Sequence, residues 1–458
     1  MYRKSKHIHF VGIGGIGMSG IAELLLNLGY TVSGSDLGSS MITERLAKLG
    51  GVVRQGHNGE NIIGADVVVT SSAIDPANPE VVEAKKNHIP VIQRAEMLAE
   101  LMRLKKFGIA IAGSHGKTST TSMVSWIMAE AGLDPTIVVG GKVDCLGGNA
   151  KLGEGEFLVA EADESDGSFL KLSPVLEVVT NIDLEHLDYY RDLDHIKETF
   201  LEFIDKIPFY GAAILCLDDE NVAELLPRIS RRMITYGMTA QADLHAESVE
   251  FKDGRVHFSV YRGVDHLGQV DLAPPGKHNV YNALAALCVG FELDIKFDVM
   301  AKALGSFNGV QRRMQKKGEC QGVTVVDDYG HHPTEIRATL AAIKKAWPRK
   351  RLVVLFQPHR YSRTKALFKE FLTAFHRADV LIMTDIYAAS EEPIEDVSTE
   401  CLLAEIERHG QKHTLYIPEV ETMAEEVIGM VRENDLVLTL GAGNIVSVGE
   451  KLVKLLEK

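Results

Sequence analysis

The sequence predicts an α/β protein of three domains built on mostly parallel β-sheet. Three places in the chain support this, because each has an apolar strand-like run that ends in glycine or polar residues before a helical period. These runs begin near Ile8, Phe107 and Arg351. The length of 458 residues fits three domains at roughly 150 residues each. We place the domains at residues 1–105, 106–311 and 312–458.

The first domain opens with a Rossmann-like turn. An apolar run to Val11 is followed by glycines in G-x-G-x-x-G spacing, a helical period and a second strand that ends at Asp36. Such a turn places a diphosphate on a helix N-terminus, where unpaired N–H groups favour negative charge. The diphosphate could belong to NAD, FAD or a UDP-sugar. The candidate binding residues are Gly12, Gly14, Gly15, Gly17 and Asp36.

The second domain opens with a phosphate-binding turn in the stretch IAIAGSHGKTSTTSMVSW. It resembles a P-loop in its Gly-Lys-Thr ending, in which the lysine reaches the outer phosphates and the threonine hydroxyl faces Mg²⁺. It departs from the full P-loop pattern because Ile111 stands where a glycine is expected. The predicted phosphate site comprises Gly113, Ser114, His115, Gly116, Lys117 and Thr118.

Acidic residues follow two later strands of this domain. Mg²⁺ prefers oxygen ligands, and acids at strand ends beside a phosphate loop can supply them. We expect one or two to contact a metal and the others to be solvated or to cap helices. His186 is open to either a ligand or a packing role. The two segments are EADESDGSFL, with Glu161, Asp163, Glu164 and Asp166, and NIDLEHLDYY, with Asp183, Glu185, His186 and Asp188.

Two further segments carry candidate nucleotide contacts. In PPGKHNVYNALAAL, Asn279 and Asn282 either cap a helix or offer their amides to an adenine edge. The arginines of FNGVQRRM form either a solvated face or, with strand-end aspartates, a phosphate and ribose site. The residues concerned are Arg312, Arg313, Asp327, Asp328, His331 and His332.

The third domain follows from the apolar, β-branched runs RLVVLFQPHRYSRT, ADVLIMTDIY and NDLVLTLGAGNI. Each run closes in polar or glycine residues, which is the pattern of parallel strands with ligand loops at their carboxyl ends. We therefore expect a C-terminal Rossmann-like α/β domain.

Composition excludes several classes of protein. A net charge of −14 argues against a nucleic-acid partner, which needs a clustered basic face. No run approaches the roughly 18 apolar residues of a membrane span, and the N-terminal stretch shows no cleavage signal. Five separated cysteines without metal-ligand spacing indicate reduced thiols and a cytoplasmic protein. Oligomeric state is not indicated by any of these features.

About ten blocks together resemble the Mur ligase family over almost the whole chain. The pairing of GIGGIGMSG with DDYGHHPTEI is most similar to members that add alanine, and the tripeptide-adding recycling ligases are the nearest alternative. A nicotinamide-dependent dehydrogenase is less favoured because it leaves the His-Gly-Lys-Thr turn without a role. The blocks are HFVGIGGIGMSGIAE, SDLGSS, AGSHGKTSTT, EADESDGSFL, NIDLEHLDYY, HNVYNALAA, GVQRRM, DDYGHHPTEI, FQPHRYSRT and TDIYAASEEPI.

The resemblance implies an ATP- and Mg²⁺-dependent ligase that joins L-alanine to the lactyl carboxylate of UDP-N-acetylmuramate through an acyl phosphate, in peptidoglycan synthesis. The first domain would then bind UDP, with His57, Ser71 and Ser72 as further candidates. The resemblance also implies that Lys117 contacts the outer phosphates and that Thr118, Glu161 and His186 bind Mg²⁺. Other implied positions are Asn279 and Asn282 at adenine, Arg313 at phosphate, Asp328 at ribose, and His332 and Arg360 near the amino acid. Because the amine must be neutral to attack, a base is needed, and His331 or His332 is the candidate on chemical type.

Overall fold

The computed structural model describes residues 6–71, 73–143, 148–187, 189–252, 254–273, 275–389 and 391–457. These residues form two compact units. The first unit comprises Met1–Glu247, Ser259–Gly268 and Tyr281–Leu304, and the second comprises Ser248–Phe258, Gln269–Val280 and Gly305–Lys458. Both are built from helices and mostly parallel strands, so the predicted α/β class is confirmed.

A five-stranded parallel sheet begins the first unit, in the order β3-β2-β1-β4-β5. Its strands are β1 (His7–Val11), β2 (Thr31–Asp36), β3 (Val52–Gln55), β4 (Val67–Thr70) and β5 (Val91–Gln93). The accompanying helices are α1 (Ile16–Asn27), α2 (Met41–Lys48), α3 (Pro79–Lys86) and α4 (Arg94–Met102). This arrangement is the Rossmann-like alternation that the glycine turn predicted.

A ten-stranded sheet follows, in the order β15-β14-β13-β12-β11-β10-β6-β9-β7-β8. Strands β10, β6, β9 and β7 are parallel neighbours, and β8 pairs antiparallel at the edge. The strands are β6 (Phe107–Ala112), β7 (Thr136–Val143), β8 (Gly148–Lys151), β9 (Phe157–Glu161), β10 (Leu176–Val179), β11 (Ala212–Cys216), β12 (Met233–Gly237), β13 (Leu244–Lys252), β14 (Arg255–Arg262) and β15 (Asp265–Leu272). Helices of this part of the chain are α5 (Lys117–Glu130), α6 (Leu193–Ile204), α7 (Glu220–Leu225), α8 (Lys277–Glu292) and α9 (Phe297–Ser306).

The third sheet lies in the second unit, in the order β16-β17-β21-β18-β19-β20, and only its edge pair β16–β17 is antiparallel. The strands are β16 (Gln315–Cys320), β17 (Val323–Asp328), β18 (Arg351–Phe356), β19 (Val380–Met383), β20 (Thr414–Tyr416) and β21 (Asp435–Leu440). The helices are α10 (Pro333–Ala346), α11 (Tyr361–Ala366), α12 (Phe368–Phe371), α13 (Thr399–Arg408), α14 (Val420–Ile428) and α15 (Val446–Leu456).

The central strands are buried on both faces, as expected for parallel sheets covered by helices. Strand β6 is an example, since Ile109, Ala110 and Ile111 have no exposed surface. Their apolar side chains fix the strand in the interior, so its carboxyl end presents the turn before α5 at one sheet edge. Within the part of the chain that the structure describes, no helix is long and apolar enough to cross a membrane.

Candidate functional site

The phosphate loop joins β6 to α5 and needs glycine at two positions. Gly113 and Gly116 have φ angles of +125° and +84°, which side-chain-bearing residues rarely adopt. A Cβ at Gly113 would lie 2.1 Å from the Thr180 hydroxyl, and one at Gly116 would lie 2.7 Å from Asn282 Oδ1. The loop leads directly into the N-terminus of α5 at Lys117, where the first N–H groups have no acceptor within the helix and can bind an anion.

The end of β10 holds this loop in place. Asn181 Oδ1 accepts the His115 N–H at 2.8 Å, and the Asn181 amide and Thr180 hydroxyl both donate to the His115 carbonyl. The His115 ring lies 2.9 Å from an Asp183 carboxylate oxygen. The Asp183 N–H donates to the Ser114 hydroxyl at 2.8 Å. Ser114 and His115 therefore fasten the loop to the neighbouring strand, which fixes its shape.

Lys117 lies across the loop that it follows in the sequence. Its Nζ donates to the carbonyls of Gly113 and Ser114 at 2.6 and 3.1 Å, and to Glu164 Oε1 at 2.8 Å. Burial opposes the charged ammonium, but the carboxylates of Glu164, Asp163 and Glu185 outweigh it and raise the pKa of Lys117. The ammonium is therefore held charged beside the loop.

Two carboxylates and an imidazole lie together next to this ammonium. Side-chain donor atoms of Glu164, Glu185 and His186 all lie within 4.8 Å of one another. His186 Nε2 is 3.5 Å from Glu164 Oε1 and 3.7 Å from Glu185 Oε2. Burial lowers the pKa of His186, but the hydrogen bond and charge of Glu164 raise it overall. The predicted metal residue His186 is thus in a cluster that could hold a cation.

This cluster fits a divalent cation on the chemistry of its donors. Glu164 Oε2 is buried and has no hydrogen-bond partner among the described residues, so it can accept a further ligand. Carboxylate oxygens are the ligands that Mg²⁺ prefers. Glu161 ends β9 and is paired in register with Ile111 on β6, so it lies at the same sheet edge as the loop. Thr118 is the second residue of α5.

Glu164 and Glu185 were not selected by sequence reasoning, which credited only Glu161 and His186 from the two acidic segments. The available signal was position: both residues follow strands that flank β6 in the sheet, β9 and β10. Alternation along the sequence cannot show which of several acids in a loop turns toward the lysine.

Asn282 lies against the phosphate loop in the first unit. Its Oδ1 accepts the Thr120 hydroxyl hydrogen at 3.1 Å, and it occupies the space next to Gly116. The side chain is buried, at 6% exposed. The contact links α8 to the first turns of α5 and leaves the adenine role of Asn282 as a prediction.

The glycine turn of the five-stranded sheet is held by hydrogen bonds to the end of β2. Gly12 has a φ of +78°, and its N–H donates to the Ser35 carbonyl. The Gly14 N–H donates to Asp36 Oδ2 at 2.8 Å, so the strand-end aspartate holds the turn itself. Gly15 precedes the first turn of α1, and a Cβ at Gly17 would lie 3.0 Å from Arg94 Nη1.

The remaining candidates of this sheet lie at its carboxyl edge. His57 follows β3, and its Nδ1 is 2.9 Å from the Ser35 hydroxyl at the end of β2. Ser71 follows β4, and its carbonyl accepts the Ile74 N–H. Ser72 lies outside the described residues. Gly12, Asp36, His57 and Ser71 therefore share the edge at which ligands of open parallel sheets bind.

Arg94 is a residue that sequence reasoning missed. Its Nη2 donates to Asp163 Oδ2 at 2.7 Å, and its guanidinium also packs beside Gly17 in the glycine turn. Burial raises the pKa of Asp163, but the charges of Arg94 and Lys117 lower it overall. Arg94 therefore connects the glycine turn to the loop that carries Glu164.

In the second unit, Asp328 ends β17 and is enclosed by donors. Its oxygens accept the N–H groups of Gly330 and Met314, both at 2.8 Å, and the Thr339 hydroxyl hydrogen. Burial raises the pKa of Asp328 to about 6, although the charge of Arg313 and these backbone bonds oppose the rise.

Arg313 lies near Asp328 in the same unit, and its Nη1 is 3.3 Å from Glu335 Oε1. Asn279 Nδ2 donates to the Pro275 carbonyl at 2.9 Å, in the turn before α8. Neither contact tests the predicted phosphate and adenine roles of these residues.

Two histidines precede α10 and differ in their hydrogen bonds. His331 Nδ1 lies 3.1 Å from the Tyr329 carbonyl, so this nitrogen carries a hydrogen. His332 is the N-cap of α10, and its Nδ1 accepts the Thr334 N–H at 3.3 Å. The neutral His332 ring therefore carries its hydrogen on Nε2. Arg360 is the N-cap of α11, with a φ of +69°, and its Nε is 4.0 Å from Glu391.

Comparison with known proteins accounts for all three sheets. Residues 7–106 match a family model described as the Mur ligase family, catalytic domain. Residues 111–290 match the Mur ligase middle domain, and residues 312–443 match the Mur ligase, glutamate ligase domain.

Curated relatives match over the full length. The chain is 68% identical over 456 residues to UDP-N-acetylmuramate–L-alanine ligase of Desulfotalea psychrophila, covering 100% of this chain and 99% of the relative. It is 59% identical over 459 residues to the protein of the same name from Geobacter sulfurreducens, with the same coverage.

Two solved structures are similar to this chain over almost its whole length. The UDP-N-acetylmuramate-alanine ligase of Thermotoga maritima superposes with a TM-score of 0.84 at 28% identity, covering 98% of this chain and 99% of that one. A murein peptide ligase from Psychrobacter arcticus shares the fold, with a TM-score of 0.74 at 23% identity and 98% coverage of each chain. On the three matched domains and the full-length relatives, this chain belongs to the Mur ligase family.

Proposed function

We infer that this chain is an ATP-dependent ligase that joins L-alanine to the lactyl carboxylate of UDP-N-acetylmuramate. The products are UDP-N-acetylmuramoyl-L-alanine, ADP and phosphate, and the reaction belongs to peptidoglycan synthesis. The observation that carries the proposal is identity of 59–68% over essentially the whole chain to ligases of that name. The cytoplasm, which holds ATP and nucleotide sugars, is the proposed location.

The three predicted segments take separate roles in this proposal. Residues 1–105 bind the UDP portion at the glycine turn, residues 106–311 bind ATP at the loop from Gly113 to Thr118, and residues 312–458 bind the amino acid. Support for the ATP site comes from the loop geometry, in which the N-terminus of α5 and the Lys117 ammonium lie at the same turn. The resemblance also implies nucleotide contacts by Asn279 and Asn282 at adenine, Arg313 at phosphate and Asp328 at ribose.

In this proposal Thr118, Glu161 and His186 hold Mg²⁺, and Glu164 and Glu185 lie beside His186. When bound, it would neutralise charge on the transferring phosphoryl group. Lys117 supplies a point charge to the outer phosphates. Glu164 holds that ammonium in position through the 2.8 Å contact. The work of this site is therefore electrostatic and positional, as expected for phosphoryl transfer.

The chemistry requires activation because a carboxylate is a poor electrophile toward an amine. A carboxylate oxygen attacks the γ-phosphorus of ATP, the bond to the ADP oxygen breaks, and an acyl phosphate forms. The neutral amine of L-alanine then attacks the acyl carbon. The carbon–oxygen bond to phosphate breaks, the amide forms, and one proton leaves the nitrogen.

That proton needs an acceptor, and the hydrogen bonds at α10 separate the two histidine candidates. In neutral His331 the Nδ1 hydrogen points to the Tyr329 carbonyl, so Nε2 carries the lone pair and can accept a proton. In neutral His332 the hydrogen is on Nε2, so this ring is a donor there. We assign the base to His331 and give His332, with Arg360, the binding of the amino-acid carboxylate.

Phosphate release tests the proposal directly. The chain should release phosphate from ATP only when UDP-N-acetylmuramate and L-alanine are both present. Release with the tripeptide in place of L-alanine would support the recycling alternative. Binding of NAD with no phosphate release under any combination would support the dehydrogenase.

A further inference from the structure

A buried polar network lies under the carboxyl edge of the five-stranded sheet, outside the phosphate site. At its centre is Glu80 in α3, which has no exposed surface. Burial raises the pKa of this carboxyl, but hydrogen bonds from His9, Ser35 and Asn61 lower it to about 2. Glu80 is therefore a buried carboxylate near neutral pH and can only accept hydrogen bonds.

The two oxygens of Glu80 have separate partners. Oε1 accepts the Asn61 amide hydrogen at 2.6 Å and the Asn58 N–H at 3.2 Å. Oε2 accepts the Ser35 hydroxyl hydrogen at 2.6 Å, and His9 Nε2 lies 3.3 Å from it. Since a hydroxyl has one hydrogen, Ser35 has none left to donate elsewhere.

This requirement sets the tautomer of His57. Its Nδ1 lies 2.9 Å from the Ser35 oxygen, which can act only as an acceptor toward it. Nδ1 must therefore carry the hydrogen, and in the neutral ring Nε2 carries a lone pair. Nε2 has no hydrogen-bond partner among the described residues, and the side chain is 16% exposed.

A second part of the network joins His9 and His7 to Glu80. His9 Nε2 donates to Glu80, and His7 Nδ1 lies 2.8 Å from the Gly64 carbonyl and so must donate to it. The remaining nitrogen of each ring contacts the same Ser33 hydroxyl, at 2.7 and 2.8 Å. One hydroxyl hydrogen satisfies only one of these nitrogens, so the two rings share Ser33. These contacts do not involve His57.

His57 is placed beside the diphosphate turn. The Gly56 N–H donates to the Asp36 carbonyl at 2.7 Å, and Asp36 in turn holds the Gly14 N–H. A nucleotide whose diphosphate lies on this turn would have its base within the same edge of the sheet.

We propose that Glu80, acting through Ser35, fixes His57 in the tautomer whose Nε2 accepts a hydrogen bond, and that this nitrogen selects the imide N–H of a uracil base. The proposal rests on the proposed binding of UDP by this sheet. Uracil carries a hydrogen on N3, whereas cytosine has a lone pair there. With cytosine bound, the lone pairs of N3 and of His57 Nε2 would face each other and no hydrogen bond could form. A site built to accept an N–H discriminates strongly against a ligand that lacks it.

The substitution Glu80→Gln tests this chain of donors because its outcome is fixed by geometry. The Oε1 position receives hydrogens from Asn58 and Asn61, so the new amide oxygen takes that position and the amide nitrogen replaces Oε2. That nitrogen donates to Ser35, whose hydrogen then turns to His57 Nδ1. His57 would shift its own hydrogen to Nε2 and become a donor toward the base.

The measurement is the ratio of dissociation constants for CDP and UDP, by calorimetry on the full chain. The wild-type protein should prefer UDP by about 10-fold or more, and Glu80→Gln should reduce or reverse that preference by a similar factor. Glu83→Gln is the matched control, because Glu83 lies on the same helix but pairs with Lys86 at the surface. It should leave the ratio unchanged.

A second variant and a spectrum keep the test independent of folding. Ser35→Ala removes the hydroxyl that joins Glu80 to His57, and it should also reduce the preference for UDP over CDP. Imidazole ¹⁵N spectra of the wild-type chain should show His57 protonated at Nδ1. A wild-type His57 protonated at Nε2, or an unchanged ratio in folded Glu80→Gln, would overturn the proposal. If alanine ligation is intact in that case, the proposed function stands and only the role of Glu80 fails.

Discussion

Replacement of Lys117 by methionine removes the ammonium that joins the phosphate loop to Glu164. Three hydrogen bonds are lost, to the Gly113 and Ser114 carbonyls and to Glu164 Oε1. Methionine keeps the length of the side chain, so the effect comes from charge and hydrogen bonding more than from volume. The variant should lose turnover by orders of magnitude, since the outer phosphates lose their point charge.

The cost in stability follows from the carboxylate left behind. The Glu164 side chain is 3% exposed, and Lys117 is 19% exposed. Removing one partner of a buried pair costs about 3–5 kcal/mol because the other charge is left without compensation. The partial exposure of Lys117 places the expected loss near the lower end, at about 3 kcal/mol.

A double variant separates stability from catalysis. Lys117→Met with Glu164→Gln has no uncompensated charge, so it should recover much of the lost free energy of unfolding while turnover stays absent. Urea denaturation and phosphate release measure the two quantities. Lys106→Met is the control, because Lys106 is 60% exposed and pairs with an equally exposed Glu156. Normal turnover in Lys117→Met, or a double variant no more stable than the single one, would refute this reasoning.

Four other substitutions give three distinct readouts. Gly14→Val places a side chain against Asp36, where even a Cβ would lie 2.8 Å from Oδ2, so the KM for the UDP-sugar should rise while that for ATP barely moves. Equal changes in both constants would argue against a separate uridine site. Glu161→Gln and His186→Ala should each raise the Mg²⁺ concentration needed for half-maximal activity by about 10-fold or more; an unchanged Mg²⁺ titration would remove them from the metal site. Burial raises the pKa of Asp328 from 3.8 to about 6, so the folded chain binds this proton more tightly than the unfolded chain. Wild-type stability should therefore fall, relative to Asp328→Asn, by about 2 kcal/mol as the pH rises from 4 to 6, and parallel urea-denaturation profiles would contradict this.

The sequence predicts much of the fold because its strands are apolar and its glycines are sterically required. Strand β6 and the turn at Gly113 follow directly from an apolar run and a position where a Cβ would clash with Thr180. The predicted start of the third domain lies beside the edge strand β16, where the chain changes from helix to strand.

The contacts between side chains could not be predicted in the same way. Glu164 and Arg94 are 70 positions apart, yet Arg94 at the start of α4 contacts Asp163 and Glu164 contacts Lys117. Asp36 was predicted as a binding residue of the glycine turn, and the sequence does not show that its Oδ2 accepts the Gly14 N–H. Such details depend on how separate loops meet at a sheet edge, and hydrophobic periodicity carries no information about that.

The central claim is that ATP activates the lactyl carboxylate before the amide forms. Transfer of ¹⁸O from the labelled lactyl carboxylate of UDP-N-acetylmuramate to inorganic phosphate tests it most directly, with mass spectrometry as the readout. The acyl phosphate breaks at its carbon–oxygen bond, so one labelled oxygen should appear in each phosphate released with L-alanine. Phosphate released without label, at normal amide yield, would contradict the claim.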